Sequence, residues 1–426
     1  MKVKIKQSLK WSVPLLLIGG IGVLRCCTDW AEWYSCHWYP VISAGLSLFS
    51  SLFPVSVGDC FIAGACLGVL CYPFYAWWKR KKWWKVIENM VIFFMWIYIW
   101  FYMAWGINYF RQPFYERIGK KRVDYSETEF QSFLEDYVKG LVENYDSGGK
   151  TGDWYTEPLF NRGKEMNKVI SEEINNGYRQ IAERFRMVKS TRKLYPKYML
   201  WSGGMSKVGV SGYMGPFFSE FNLNREMLNV EYPFTYAHEL AHRLGIASEA
   251  EANLYAAIVT MNASVPEIRF SGFFSILGYV MNNARRLLTA EGYKALLSQI
   301  PSEIVGMYNQ HLMYWREKYA PDVGKVQNKV YNAYLQSNKL ETGTKNYSEV
   351  IGLLMSFRRY NNGKFCETIE NYQCDQQRNP ANKLQCVVIQ QNCVGLISFD
   401  WRSMSKIAVK KVTHENRNID RLKAQV

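Results

Sequence analysis

The pentapeptide His238-Glu239-Leu240-Ala241-His242 is the part of this chain best equipped for chemistry. The sequence has only five histidines in 426 residues, and two of them lie here. On a helix, positions i and i+4 share a face, so both imidazoles can reach one ion. Glu239 lies on the neighbouring flank, where a carboxylate can take a proton from water. This is the H-E-x-x-H spacing that holds zinc with a glutamate as general base. The chemistry implied is metal-assisted hydrolysis, with Zn2+ at one ion per chain, His238 and His242 as ligands and Glu239 as the catalytic base.

A catalytic zinc site takes three protein ligands. Glu249 lies seven residues beyond His242, past Gly245, where a chain reversal could return it to the ion. Glu251 is the alternative, but Ser248-x-x-Glu251 is also a capping-box pattern that would occupy it. Asn253 is four residues after Glu249 and could hydrogen-bond a ligand histidine from behind. His311 stands alone in a helical pattern and reads as structural. Tyr213, Tyr255 and Tyr279 are candidates for stabilising an oxyanion, and the sequence selects none of them.

These side chains need elements to hold them. Pro233 precedes the motif helix, Thr235 is placed to cap it, and Gly245 to end it in a left-handed conformation. Upstream, 198–224 is β-prone and broken by glycine, so strands are expected there. Gly212, Tyr213 and Met214 could present an open edge to an extended peptide substrate, or could be an ordinary core strand. Helical periodicity marks 127–145, 165–187 and 236–337, with breaks near Pro266, Pro301 and Pro321, and 144–153 reads as a loop.

Charge and hydropathy set the surroundings. Of the net charge of +15, residues 1–115 carry +7 and residues 361–426 carry +4, leaving a nearly balanced middle with no nucleic-acid footprint. Three uncharged apolar stretches, Trp11 to Leu24, Cys60 to Trp78 and Asn89 to Phe110, read as bilayer spans, the first as an uncleaved signal anchor. Trp and Tyr cluster at their ends. Lys79-Arg80-Lys81-Lys82 joins the second to the third, and short basic loops stay in the cytoplasm, which puts everything after residue 110 outside it. Residues 41–57 read as an interfacial helix. Cys60, Cys66 and Cys71 read as packing residues of a span. Cys366, Cys374, Cys386 and Cys393 could form disulfides on the extracytoplasmic side, in any of three pairings.

Several local patterns carry a wider resemblance. Phe53-Pro54-Val55-Ser56-Val57-Gly58-Asp59 precedes the second span, and Gly106-Ile107-Asn108-Tyr109-Phe110-Arg111-Gln112-Pro113 ends the third. Ser211-Gly212-Tyr213-Met214-Gly215-Pro216 and Glu220-Phe221-Asn222-Leu223-Asn224 lead into the motif. Over roughly residues 10–360 the chain resembles an uncharacterised family of bacterial membrane proteins, a domain of unknown function with a gluzincin-like HExxH. Glu249-x-x-Ala252-Asn253 also looks like the Glu-x-x-Ala-Asp/Asn segment of other gluzincins, in which the glutamate binds zinc and the residue four later supports the site. Thermolysin-like enzymes place that glutamate much farther from the second histidine, so the short spacing is a departure.

The residues and the resemblance together imply a mostly helical α+β fold, with transmembrane helices in 1–110 and a zincin-like metallopeptidase domain with a small sheet in 111–360; residues 361–426 lie beyond the resemblance and read as a Cys-containing tail or small module. The implied function is a zinc metallopeptidase anchored in the inner (cytoplasmic) membrane, multi-pass, with its catalytic domain extracytoplasmic. Its partners would be a peptide or protein substrate and the lipid bilayer. The alternatives are hydrolysis of a non-peptide amide, or a catalytically silent membrane scaffold or sensor with a structural metal or none.

Overall fold

A computed structural model describes residues 2–121, 125–149, 155, 157, 164–190, 192–338 and 349–360. The tail 361–426 with its four cysteines, residues 150–153 of the expected loop and the ends of some connections lie outside the described residues.

The chain begins with four long helices: α1 (Lys2–Cys26), α2 (Thr28–Ser50), α3 (Val57–Trp78) and α4 (Trp83–Ala104). Leu9–Cys26 of α1 and the whole of α3 and α4 are long and apolar enough to cross a membrane. Their outward faces carry exposed Leu16, Leu67, Phe74 and Phe94, as lipid contact requires. Cys60, Cys66 and Cys71 are exposed on such an outward face rather than packed against other elements.

The third apolar stretch does not stay helical to Phe110. α4 stops at Ala104, and Gly106–Phe110 forms a buried 3₁₀ turn. Uncharged composition marks burial of any kind, and here it continues from lipid into protein. Helix α2 starts well before the expected 41–57 and ends at Ser50. It turns Tyr34, Tyr39 and Ser43 toward the protein, so it is more than a surface helix.

After a short α5 (Phe114–Arg117) comes α6 (Glu127–Asn144), fixed at its start by a Ser126–Glu129 capping box. Tyr145–Gly149 then makes a π-helical turn. The helix α7 (Lys164–Ile181) follows, shorter than the expected 165–187. Strand β1 (Lys197–Tyr198), helix α8 (Ser202–Ser206), β2 (Gly212–Gly215) and β3 (Glu220–Leu223) come next. The β-prone region is therefore partly helix, and Val208 to Val210 is a turn with Gly209 at φ +74°.

The sheet has the order β1-β3-β2. β1 runs parallel and β2 antiparallel to the central β3, with Gly212 opposite Leu223 and Gly215 opposite Glu220. The helical remainder is α9 (Tyr232–Arg243), α10 (Glu249–Met261), α11 (Pro266–Leu287), α12 (Ala290–Ser298), α13 (Ser302–Lys318), α14 (Pro321–Ser337) and α15 (Val350–Tyr360). Prolines open α11 and α14 and precede α13, as the sequence implies.

The core gathers around α10, every residue of which is buried. α6 contributes Phe130, Phe133, Tyr137 and Leu141, α11 contributes Phe270 and Phe274, and α9 contributes Tyr236 and Leu240. Each such side chain contributes about 1.5–3 kcal/mol by leaving water. The result is a rigid bed on which α9 lies with its other face toward a cleft.

Candidate functional site

Helix α9 carries Pro233 in its first turn. Thr235 does not cap it: the helix starts three residues earlier, at Tyr232, and the flanking Glu231 makes no capping bond. The far end behaves as expected. Gly245 takes φ +94°, and Ile246 N–H returns to the Ala241 carbonyl at 3.2 Å, a Schellman closure. Ser248 then caps α10 by accepting from the Glu251 N–H.

This reversal brings Glu249 back over the motif. The ligand atoms of His238, His242 and Glu249 all lie within 4.8 Å of one another. The two Nε2 atoms are 3.1 Å apart, and Glu249 Oε2 lies 3.2 Å from that of His238 and 3.6 Å from that of His242. The far side of each ring meets an oxygen that can only accept: Asn253 Oδ1 at 2.9 Å from His238 Nδ1, and the Ile246 carbonyl at 2.7 Å from His242 Nδ1. Each Nδ1 therefore donates, which turns both Nε2 atoms toward the carboxylate and leaves them as the nitrogens that could bind a cation there.

Glu251 goes elsewhere. It forms a buried ion pair with Arg117, which also reaches the Tyr255 hydroxyl, so neither Glu251 nor Tyr255 joins the cluster.

The electrostatics call for a positive charge at the centre. Burial opposes ionisation of Glu249, but His242 and His238 hold its carboxyl well below the usual range. Burial likewise opposes the imidazolium of His242, and the Glu249 carboxylate overrides it, raising the group to about 9. Two nitrogens and one carboxylate oxygen, each braced from behind, are a donor set that suits zinc.

Glu239 sits beside the cluster, buried, with Oε2 making no hydrogen bond. Burial raises its pKa, only partly offset by the two histidines. Gly212 of β2 makes room for it: a Cβ there would stand 2.6 Å from Oε1 and 2.9 Å from Cδ.

The cluster opens into a cleft of ≈ 780 Å³. Gly212, Tyr213 and Met214 form one wall, and among the described strands the far edge of β2 has no neighbour. Tyr213 is not free to serve an oxyanion, because its hydroxyl donates to Asp59 of α3. Tyr279 does line the cleft.

Several lining residues escaped the sequence reading. Tyr331 of α14 donates to Glu249 Oε1 at 2.7 Å. His311, read as structural, stands in the cleft wall with Nε2 2.9 Å from Glu231 Oε1. Trp105 donates its indole N–H to the His242 carbonyl at 3.0 Å. No local spacing announces any of these, since each comes from a distant helix.

No curated protein and no solved structure matches the chain. The family model described as a protein of unknown function (DUF3810) matches residues 34–355, a stretch that holds the motif helix, Glu249, the open strand, the cleft and two of the three membrane helices. By that match the chain belongs to the DUF3810 family of proteins of unknown function.

Proposed function

We propose that this protein is a membrane-anchored, zinc-dependent peptidase whose catalytic side faces away from the cytoplasm. The convergence of His238, His242 and Glu249 within 4.8 Å, beside a buried glutamate with an uncommitted oxygen, carries this reading. A zinc ion held by those three residues would polarise the scissile carbonyl and make water a better nucleophile at neutral pH.

The chain supplies the rest. Glu239 Oε2 accepts a proton as the water oxygen bonds to the carbonyl carbon, and its raised pKa brings it nearer to working pH. As the C–N bond breaks, that proton passes to the leaving amine and the carboxylate is regenerated. An extended substrate can add to β2 through main-chain hydrogen bonds. The basic Lys79–Lys82 loop supports the orientation, since it favours the cytoplasmic side and lies at the opposite end of α4 from the cleft.

Purified full-length protein is expected to hold about one zinc per chain, as a single three-ligand site implies. Glu239→Gln is expected to retain that zinc and to lose about 10²–10⁴-fold in hydrolysis of a peptide library. Metal analysis and library cleavage together check both halves. A folded, metal-free protein would end the reading, and unimpaired hydrolysis by the variant would remove Glu239 from its role.

A further inference from the structure

The candidate centre is attached to the end of a membrane helix. α4 stops at Ala104, and the next residue, Trp105, bonds to the backbone of His242 at 3.0 Å. The hairpin between β2 and β3 makes a second attachment. The Phe217 carbonyl accepts from Trp100 Nε1 at 2.9 Å, and its ring packs on Phe61 with centroids 5.1 Å apart. Phe61 lies near the start of α3 and Trp100 near the end of α4. A short loop joins these two helices, so both positions lie at the same bilayer face.

β2 therefore starts at Gly212, beside Glu239, and leads to Phe217, against the membrane ends of the spans. The strand itself covers about 10 Å at roughly 3.3 Å per residue, and the turn at Pro216 and Phe217 carries the chain from there onto the span ends. Phe101 and Trp105 line the same side of the cleft, continuing the aromatic interface of α4.

We infer that the substrate is a polypeptide anchored in the same bilayer, laid extended along β2 and cut within about four to eight residues of the membrane surface, a length set by the strand rise. This rests on the peptidase reading above. A chain emerging from the lipid meets the open edge of β2 directly. A folded soluble protein would have to thread its scissile segment down between the cleft and the headgroups.

The test reconstitutes the full zinc-loaded chain in liposomes. The probe is a fully randomised peptide of about 24 residues, joined by either terminus to a helix of about 20 leucines that spans the bilayer. The same randomised peptide without the helix serves as the comparison, and mass spectrometry reads where the cuts fall. Because every position offers every sequence, position alone is measured. The expected result is a cluster of cuts about four to eight residues from the helix end, the reach of β2, and cleavage at least tenfold faster than for the free peptide. Cuts spread evenly along the anchored peptide would overturn this inference and leave the peptidase standing. Cleavage of neither peptide would overturn the peptidase reading itself, and this inference with it.

Discussion

Both imidazoles at the centre owe their aim to an oxygen behind them, and only one of those oxygens is a side chain. Asn253→Ala removes the acceptor from His238 while leaving the three ligand atoms in place. Zinc affinity is expected to fall about 10–100-fold, the usual cost of losing such a brace, measured by competition with a chromogenic chelator. Gly212→Ala tests the other side of the site. The added methyl must push the Glu239 carboxylate away, so hydrolysis is expected to drop at least tenfold with zinc content unchanged. The histidines and Glu239 were legible in the sequence because helical spacing alone places them. The sequence favoured Glu249 over Glu251 without deciding between them, because the choice depends on Arg117, 134 residues away in sequence from Glu251, which claims that second carboxylate.

At the scale of elements, the C-terminal end of α9 is finished by side chains from other helices. Tyr39 of α2 donates to the Arg243 carbonyl at 2.9 Å, Trp105 to that of His242, and Arg111 to that of Gly245 at 3.0 Å. The last carbonyls of a helix lack the donor four residues on, and of these three only that of His242 also accepts a backbone bond of the closing turn, from the Gly245 N–H at 3.0 Å. Arg111 is held in turn by Glu32 of α2 at 2.8 Å, with both side chains buried. Burial opposes the charge on Glu32, but the Arg111 guanidinium lowers its pKa below the ordinary 4.5. The unfolded chain therefore binds this proton at a higher pH than the folded one. The pair's stabilisation is complete above about 4.5 and is lost as the pH falls through the lower folded value. Melting temperatures measured in detergent from pH 7 to pH 3 are expected to fall on acidification, and Glu32→Gln is expected to start lower and fall less. Hydropathy revealed the spans, but not that Gly106–Phe110 leaves the helix to serve α9. The same absence of charge suits lipid and protein interior alike.

At the scale of the whole molecule, the membrane helices and the site share one packing unit. Ile21 of α1, Tyr34 and Tyr39 of α2, and Tyr102 and Trp105 at the end of α4 form a cluster with Ala247, which lies between the motif and Glu249. α14 closes the cleft from the other side and is tied down at its end, where Arg25 donates to the Ser337 carbonyl and Tyr102 to Asn338. A fragment starting at residue 111 would keep the complete HExxH sequence and lose Tyr39 and Trp105 from behind it. Such a fragment is expected to bind zinc at least tenfold more weakly than the full chain and to show no peptidase activity, checked by metal titration and the library assay. Trp105 thus has a regulatory consequence. Many surface-anchored hydrolases can be shed by a single cut near the membrane and go on working in the medium. If the proposed peptidase reading holds, a cut between α4 and α5 that released the domain would leave the Trp105 indole behind with its helix, so shedding would extinguish hydrolysis instead of exporting it.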